Sequence, residues 1–188
     1  MEIVVDIYVF AMALTLAILE IQIEGENGWA KNLPTWRPNK PSVFSRTYSS
    51  LMSGKPLTGY HLAVFSFVVL VFHLPFIFGF PLTVNNWLKI ISLLFIYLVV
   101  WDFLWFVLNP NFILNRFNPK NVTWHLRWIG PVPKDYVKAL AASFLSIVLA
   151  TYLGPEVITW WLRTVFVFLT LVLLTIFISK FVVKKRVD

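Results

Sequence analysis

A chain of 188 residues that is 59% hydrophobic and only 13% charged cannot be one water-soluble domain. Globular chains carry about a quarter charged residues, and a domain of this size has too much surface to cover with so few. Lipid must form part of the solvent, and at about 20 residues per crossing the length allows at most about six membrane helices.

The first apolar run, Ile3 to Ile23, follows Met1-Glu2, contains Asp6 and has no basic residue before Lys31. A cleavable signal peptide needs a positive start and a small-residue cleavage site, so this segment reads as a retained helix. Further runs cover Leu57 to Phe80, Asn86 to Leu108, Tyr136 to Leu153 and Val157 to Phe181. The expected architecture is therefore an all-α polytopic bundle of five transmembrane helices forming a single integral membrane domain over 1–188. The turns Pro81-Leu82-Thr83-Val84-Asn85 and Gly154-Pro155-Glu156 are rich in helix-stopping residues, which makes helical hairpins of the second and third runs and of the fourth and fifth.

Lys31, Arg37, Lys40, Arg46 and Lys55 lie between runs one and two, and Arg116, Lys120, Arg127 and Lys134 between runs three and four. The tail adds Lys180, Lys184, Lys185 and Arg186, whereas neither hairpin turn holds a basic residue. The positive-inside rule then predicts an outside N-terminus and a cytoplasmic C-terminus, with the cell membrane as the expected location. The same rule accounts for the excess of 16 Lys and Arg over 9 Asp and Glu without nucleic acid as a partner.

The two cytoplasmic segments, roughly 24–56 and 109–135, are long for connections. Their aromatic content, including Trp29, Trp36, Phe112, Trp124 and Trp128, predicts ordered caps at the membrane surface rather than disorder. In the first, Ser42 is a candidate N-cap, Phe44, Tyr48, Leu51 and Met52 recur at helical spacing, and Gly54 is a candidate stop, which together predict a short interfacial helix.

Asp102 is the charge that neither topology nor solubility explains. It lies six residues before Leu108, about 9 Å beneath the cytoplasmic end at 1.5 Å per residue, and placing it in lipid costs about 2.5 to 3.5 kcal/mol. Glu20, Glu24, His61 and His125 are expected at the same level, with Arg37 and Arg127 above them. Asp102, His125 and Glu20 are the candidate catalytic residues, and Arg37, Arg127, His61, Glu24, Trp36 and Trp124 the candidate substrate-binding residues.

Two chemistries would use this set. A divalent metal held by carboxylate and imidazole would bind phosphate or activate water. Without metal, His125 or His61 would act as general base, tuned by Asp102, with the arginines holding an anionic headgroup. There is no HExxH motif, Gly-rich phosphate loop or GxSxG elbow, and no haem, flavin or nucleotide signature.

Absence of cysteine excludes thiolate metal sites and cysteine nucleophiles. Three histidines are too few for the histidine-rich di-iron centres of membrane desaturases. His73, just before Pro75, is expected to be neutral and bonded to a backbone carbonyl freed by the proline. Arg163 is expected to snorkel outward near Glu156, seven residues earlier on the same stripe, and Asp6 lies at a level where an outer ion pair with it is open.

The leading expectation is a cytoplasm-facing polar pocket that binds a lipid or polyisoprenoid headgroup, with membrane lipids as partners. The alternatives are a subunit or scaffold that docks a membrane-protein partner through its aromatic caps, and a proton- or ion-coupled transporter using Asp102, His73 and Arg163.

Overall fold

The computed structural model describes residues 2–112 and 114–183; Lys184, Lys185 and Arg186 of the basic tail lie outside the described residues. Six α-helices occur among them: α1 (Glu2–Glu24), α2 (Val43–Leu51), α3 (Gly59–Ile77), α4 (Val84–Leu108), α5 (Lys134–Thr151) and α6 (Glu156–Val182). Four of these, α1, α3, α4 and α6, are long and apolar enough to cross a membrane. The protein is thus a mostly helical membrane protein. α5 falls short of that standard because Lys134, Asp135 and Lys138 occupy its first turns.

Three of the starts have a side-chain cause. Thr58 and Thr83 accept hydrogen bonds from the backbone N–H groups of His61 and Asn86, capping α3 and α4. Ser42 and Ser45 form a reciprocal capping box at α2. That helix ends where Gly54, in the left-handed region at φ +104°, donates to Ser49 O at 2.6 Å. The expected short helix and its two boundary residues are therefore present.

The segment between α4 and α5 is not purely helical. A 3₁₀ turn at Leu114–Arg116 is followed by an antiparallel pair, β1 (Trp128–Ile129) and β2 (Val132–Pro133), with Trp128 opposite Pro133. Gly130 at φ +58° makes the reversal. This two-stranded hairpin is the one departure from an all-helical chain among the described residues, and runs this short leave no period-2 pattern to read.

α4 is the centre of the bundle. It packs against α1, α3, α5 and α6, and its Tyr97, Leu104, Phe106 and Val107 are fully buried. Polar side chains join the helices where apolar packing gives no directional preference. Ser92 of α4 and Ser143 of α5 share a 2.8 Å hydrogen bond, and Trp161 of α6 donates to the same Ser143 oxygen at 3.0 Å. Ser143→Ala removes both bonds and is expected to lower stability in micelles by about 1 to 2 kcal/mol, at the upper end of measured bonds between membrane helices. Unfolding by SDS titration, followed through tryptophan fluorescence, checks this; a change under a few tenths would contradict it.

Near the start of α1, Asp6 is 1% exposed and lies 3.4 Å from Arg163 Nε, with Thr164 donating to its other oxygen at 3.1 Å. The ion pair that their levels left open to Asp6 and Arg163 is present. His73 does bond a backbone carbonyl, but not the one Pro75 frees at Val71: Nδ1–H donates to Val69 O at 2.7 Å, one turn before His73 itself, and Nε2 accepts from the Trp87 indole at 3.2 Å. Those two bonds specify a neutral tautomer.

Candidate functional site

The last turns of α1 and α4 meet the first turns of α3 and α5 at one end of the bundle. Asn109, fully buried just past α4, fixes part of this junction. Its Nδ2 donates to Gly25 O at 2.7 Å, and its Oδ1 accepts from Asn111 N at 2.9 Å. Gly25 itself has φ +67° and donates to Ile21 O at 2.9 Å, ending α1.

Beside this junction opens a cavity of about 700 Å³, within the size range of sites for small organic ligands. Phe95, Leu98 and Val99 of α4 and Ala139 and Ala142 of α5 form one wall, and Ser50, Leu51 and Met52 at the end of α2 form another. α2 is tethered over it by Lys138 of α5, whose Nζ donates to Ser50 O at 3.4 Å and Leu51 O at 3.2 Å. A cation at those last carbonyls also complements the helix dipole. At the polar end lie Glu20, Glu24, His61, Lys55, Asp102 and Asp135.

Two polar clusters build that end. In the first, His125 Nε2 is 3.1 Å from Asp102 Oδ2, and His125 Nδ1 is 3.5 Å from Asp135 Oδ2. Tyr136 donates its hydroxyl to Asp102 Oδ2 in a short bond, and Lys55 Nζ pairs with Asp135 Oδ2 at 3.3 Å. The imidazole is fully enclosed, whereas the Asp102 side chain keeps 31% of its surface; that remaining surface faces the cavity. His125 therefore orients Asp102 from behind, and Asp102 is the group a ligand would touch. Burial works to raise the Asp135 pKa, but the His125 ring and the Lys55 ammonium outweigh it and bring it down to about 2.

The second cluster is Glu20, Glu24 and His61, one atom of each lying within 4.8 Å of the others. Glu24 accepts a short bond from the Ala30 backbone N–H. Trp29 and Ala30 both have positive φ, 59° and 51°, an uncommon conformation for residues with side chains. It turns the Ala30 N–H toward the Glu24 carboxylate, making a local anion nest. His61 is held on three sides: Nδ1 is 2.8 Å from Thr58 Oγ1, its ring stacks on Trp29 at 3.8 Å and 15°, and Tyr60 meets it edge-on. Lys55 Nζ sits 4.4 Å from the centre of the Trp29 ring, a cation–π contact that also spans toward the first cluster.

The charge count decides what this end favours. Four carboxyl groups line the cavity, Glu20, Glu24, Asp102 and Asp135, against the two ammonium groups of Lys55 and Lys138. Two ionised carboxylates about 5 Å apart repel by roughly 3 kcal/mol at an effective dielectric of 20. The cluster accordingly favours added positive charge.

Of the residues expected at a site, Glu20, Glu24, His61, Asp102 and Trp124 line the cavity, and His125 stands directly behind Asp102. Arg37, Arg127 and Trp36 do not line it. Arg37 is spent on the backbone, donating to Ala30 O and to Thr35 O at 3.2 Å, so it braces the loop that supports Glu24. Arg127 is exposed, and Trp36 is 60% exposed. An anionic headgroup gripped by two arginines is therefore not what this geometry offers.

Lys55, Asp135 and Tyr136 are additional polar groups at the site. Lys55 had the appearance of one more basic loop residue, yet it is 3% exposed. The signal available for Asp135 and Tyr136 was their place in the first turn after the second loop, level with Asp102.

Compared with protein families, with curated proteins and with solved structures, the chain matches none.

Proposed function

We propose that the protein is a polytopic membrane protein that binds a membrane amphiphile, a lipid or polyisoprenoid, with its chain along the α4–α5 wall and its headgroup at Asp102. The observation that carries this reading is the division of the cavity: Phe95, Leu98, Val99, Ala139 and Ala142 at one side, and the Asp102 and Glu20 clusters at the end. A ligand that matches it is long and apolar with one polar terminus. A hydrogen-bonding headgroup would meet the Asp102 carboxylate, whose orientation is held by His125 and Tyr136.

The reading includes five crossings with the pocket end toward the cytoplasm. α5, at 18 residues, extends about 27 Å, close to the hydrocarbon thickness of a bilayer. Its Leu140, Phe144, Leu145 and Leu149 are exposed, which suits a lipid-facing stripe. Lys31, Lys40, Arg46, Arg116, Lys120 and Arg127 belong to segments at the pocket end, and the opposite end holds Lys89 and Arg163, the latter paired with Asp6.

Native mass spectrometry of the protein released from mild detergent is expected to show a retained lipid adduct. Asp102→Asn should reduce the lipid-bound fraction about ten- to a hundredfold, the loss of one charge-assisted hydrogen bond of about 1.5 to 3 kcal/mol, and because His125 and Tyr136 bond the same carboxylate its unfolding is measured alongside. Ala142→Phe, which fills the apolar wall, should displace the same adduct. An unchanged lipid-bound fraction in both variants would remove this reading.

A docking scaffold through the aromatic caps would rest on Trp36, which is 60% exposed, since Trp29 is 8% exposed and occupied by His61 and Lys55.

A further inference from the structure

We propose that Glu20, Glu24 and His61 bind one divalent transition-metal ion at the polar end of the cavity. One ligand atom from each residue lies within 4.8 Å of the other two. At tetrahedral angles two ligands about 2.1 Å from a common ion are about 3.4 Å apart, so rotamer shifts that close the most separated pair by up to about 1.4 Å would gather the set around an ion. The three residues come from the end of α1 and the start of α3, and each is at least nine-tenths buried, so the site is built by the fold rather than assembled from mobile surface groups.

His61 points the same way. It is 2% exposed, and its Nδ1 is committed to Thr58 Oγ1. Nε2 points toward the carboxylates but stands 3.8 Å from Glu24 Oε1, beyond hydrogen-bond reach. Among the described residues Nε2 thus has no hydrogen-bond partner within reach, and His61 lines the cavity. With Nδ1–H donating to Thr58, the Nε2 lone pair faces the gap, the arrangement in which a polar neighbour fixes the tautomer of a ligating histidine.

Glu20 and Glu24 adjoin each other with Asp102 nearby, and Lys55 is already paired with Asp135. A divalent cation would relieve that excess. One imidazole with two carboxylates suits Zn²⁺, Mn²⁺ or Fe²⁺ better than Ca²⁺ or Mg²⁺, which prefer oxygen ligands alone. Three protein ligands also leave coordination positions for water or a ligand oxygen, and these residues line the cavity. An ion here would let a carboxylate-rich pocket hold a hydroxyl or phosphate oxygen without the arginines that stand elsewhere. This deepens the amphiphile reading of the same pocket, although metal binding itself does not depend on lipid.

The test is titration of the full-length, chelator-treated protein in detergent, without added lipid, using Co²⁺ as a spectroscopic probe and Zn²⁺ as competitor. The wild type should bind about one equivalent of Co²⁺ with visible d–d absorption that Zn²⁺ displaces, and Zn²⁺ should raise its unfolding midpoint. Glu20→Gln and His61→Gln should each weaken binding more than tenfold, and Thr58→Val, which frees the His61 ring, by about 10- to 100-fold. Binding of less than a tenth of an equivalent by the folded wild type would overturn the proposal, as would affinity unchanged in Glu20→Gln and His61→Gln. Ca²⁺ or Mg²⁺ displacing Co²⁺ as effectively as Zn²⁺ would overturn the assignment to transition metals. Loss of lipid retention with intact metal binding would count against the amphiphile reading alone.

Discussion

Lys55→Met is expected to lower the unfolding free energy by about 3 kcal/mol, the low end of the cost of removing one partner from a buried ion pair. Lys55 is 3% exposed, and its ammonium lies 3.3 Å from Asp135 Oδ2 and 4.4 Å from the centre of the Trp29 ring. Met preserves most of the aliphatic stem, so the loss is chiefly electrostatic. Asp135 keeps 16% of its side-chain surface, which lets water soften the penalty and places the expectation at the low end. The double variant Lys55→Met/Asp135→Leu removes both charges and should recover at least half of the loss, because the cost comes from stranding a charge rather than from absence of the pair. SDS titration of all four members of the cycle gives the coupling. A single-variant loss below 1 kcal/mol, or a double variant equal to the sum of the singles, would contradict the account.

The same pair has a pH signature. Asp135 titrates at about 2 in the folded protein against 3.8 for an ordinary aspartate. A folded value below the unfolded one stabilises the protein above about pH 4, and that contribution is lost as pH falls through about 2. With Lys55 removed, one of the causes that lower it is gone, so the folded value moves back toward the unfolded one and less stability should be lost between about pH 4 and 2. Unfolding midpoints measured between pH 2 and 6 would show the shallower fall.

The helices were legible and the pocket only partly so, for physical reasons visible in single residues. The apolar runs at 3–23, 57–80, 86–108, 136–153 and 157–181 correspond to α1, α3, α4, α5 and α6 within a few residues, because length and hydropathy are local properties. Ser42 and Gly54 were readable as the limits of α2 for the same reason: a capping hydroxyl and a left-handed glycine act within a few residues of themselves. Asp102 was conspicuous because a carboxylate at membrane depth needs a partner, and His125 is in contact with it.

Long-range choices left no such trace. Arg37 and Arg127 have the same charge as Lys55, and sequence pattern ranked the arginines above it as ligand-binding residues. Burial separates them: Lys55 is enclosed by Trp29 and Asp135, Arg37 is consumed by loop carbonyls, and Arg127 is exposed. The positive φ of Trp29 and Ala30 was equally hidden, since neither residue type advertises that conformation.

Gly28→Ala is expected to cost about 1 to 3 kcal/mol, the range for forcing an extra carbon into filled space, and to impair the pocket in the same step. A Cβ at this position would lie 2.5 to 2.8 Å from the Cε2, Cζ2 and Nε1 atoms of Trp124, well inside contact distance. The indole has little freedom to retreat. It meets Trp105 edge-on at 5.8 Å and lies parallel to Phe106 at 5.9 Å and 6°, and Phe106 is 1% exposed in the middle of α4 packing. Moving Trp124 therefore shifts either the aromatic cluster under the second loop or the loop carrying Trp29 and Ala30, which positions the Glu24 carboxylate. Stability and ligand retention should fall together, whereas Trp124→Leu in the Gly28→Ala background should restore stability by removing the obstructing ring. Native mass spectrometry beside SDS titration separates the two effects. An alanine variant as stable as the wild type would mean that Trp124 has space to move, and the close contact at Gly28 would no longer explain how the two loops are locked over the cavity.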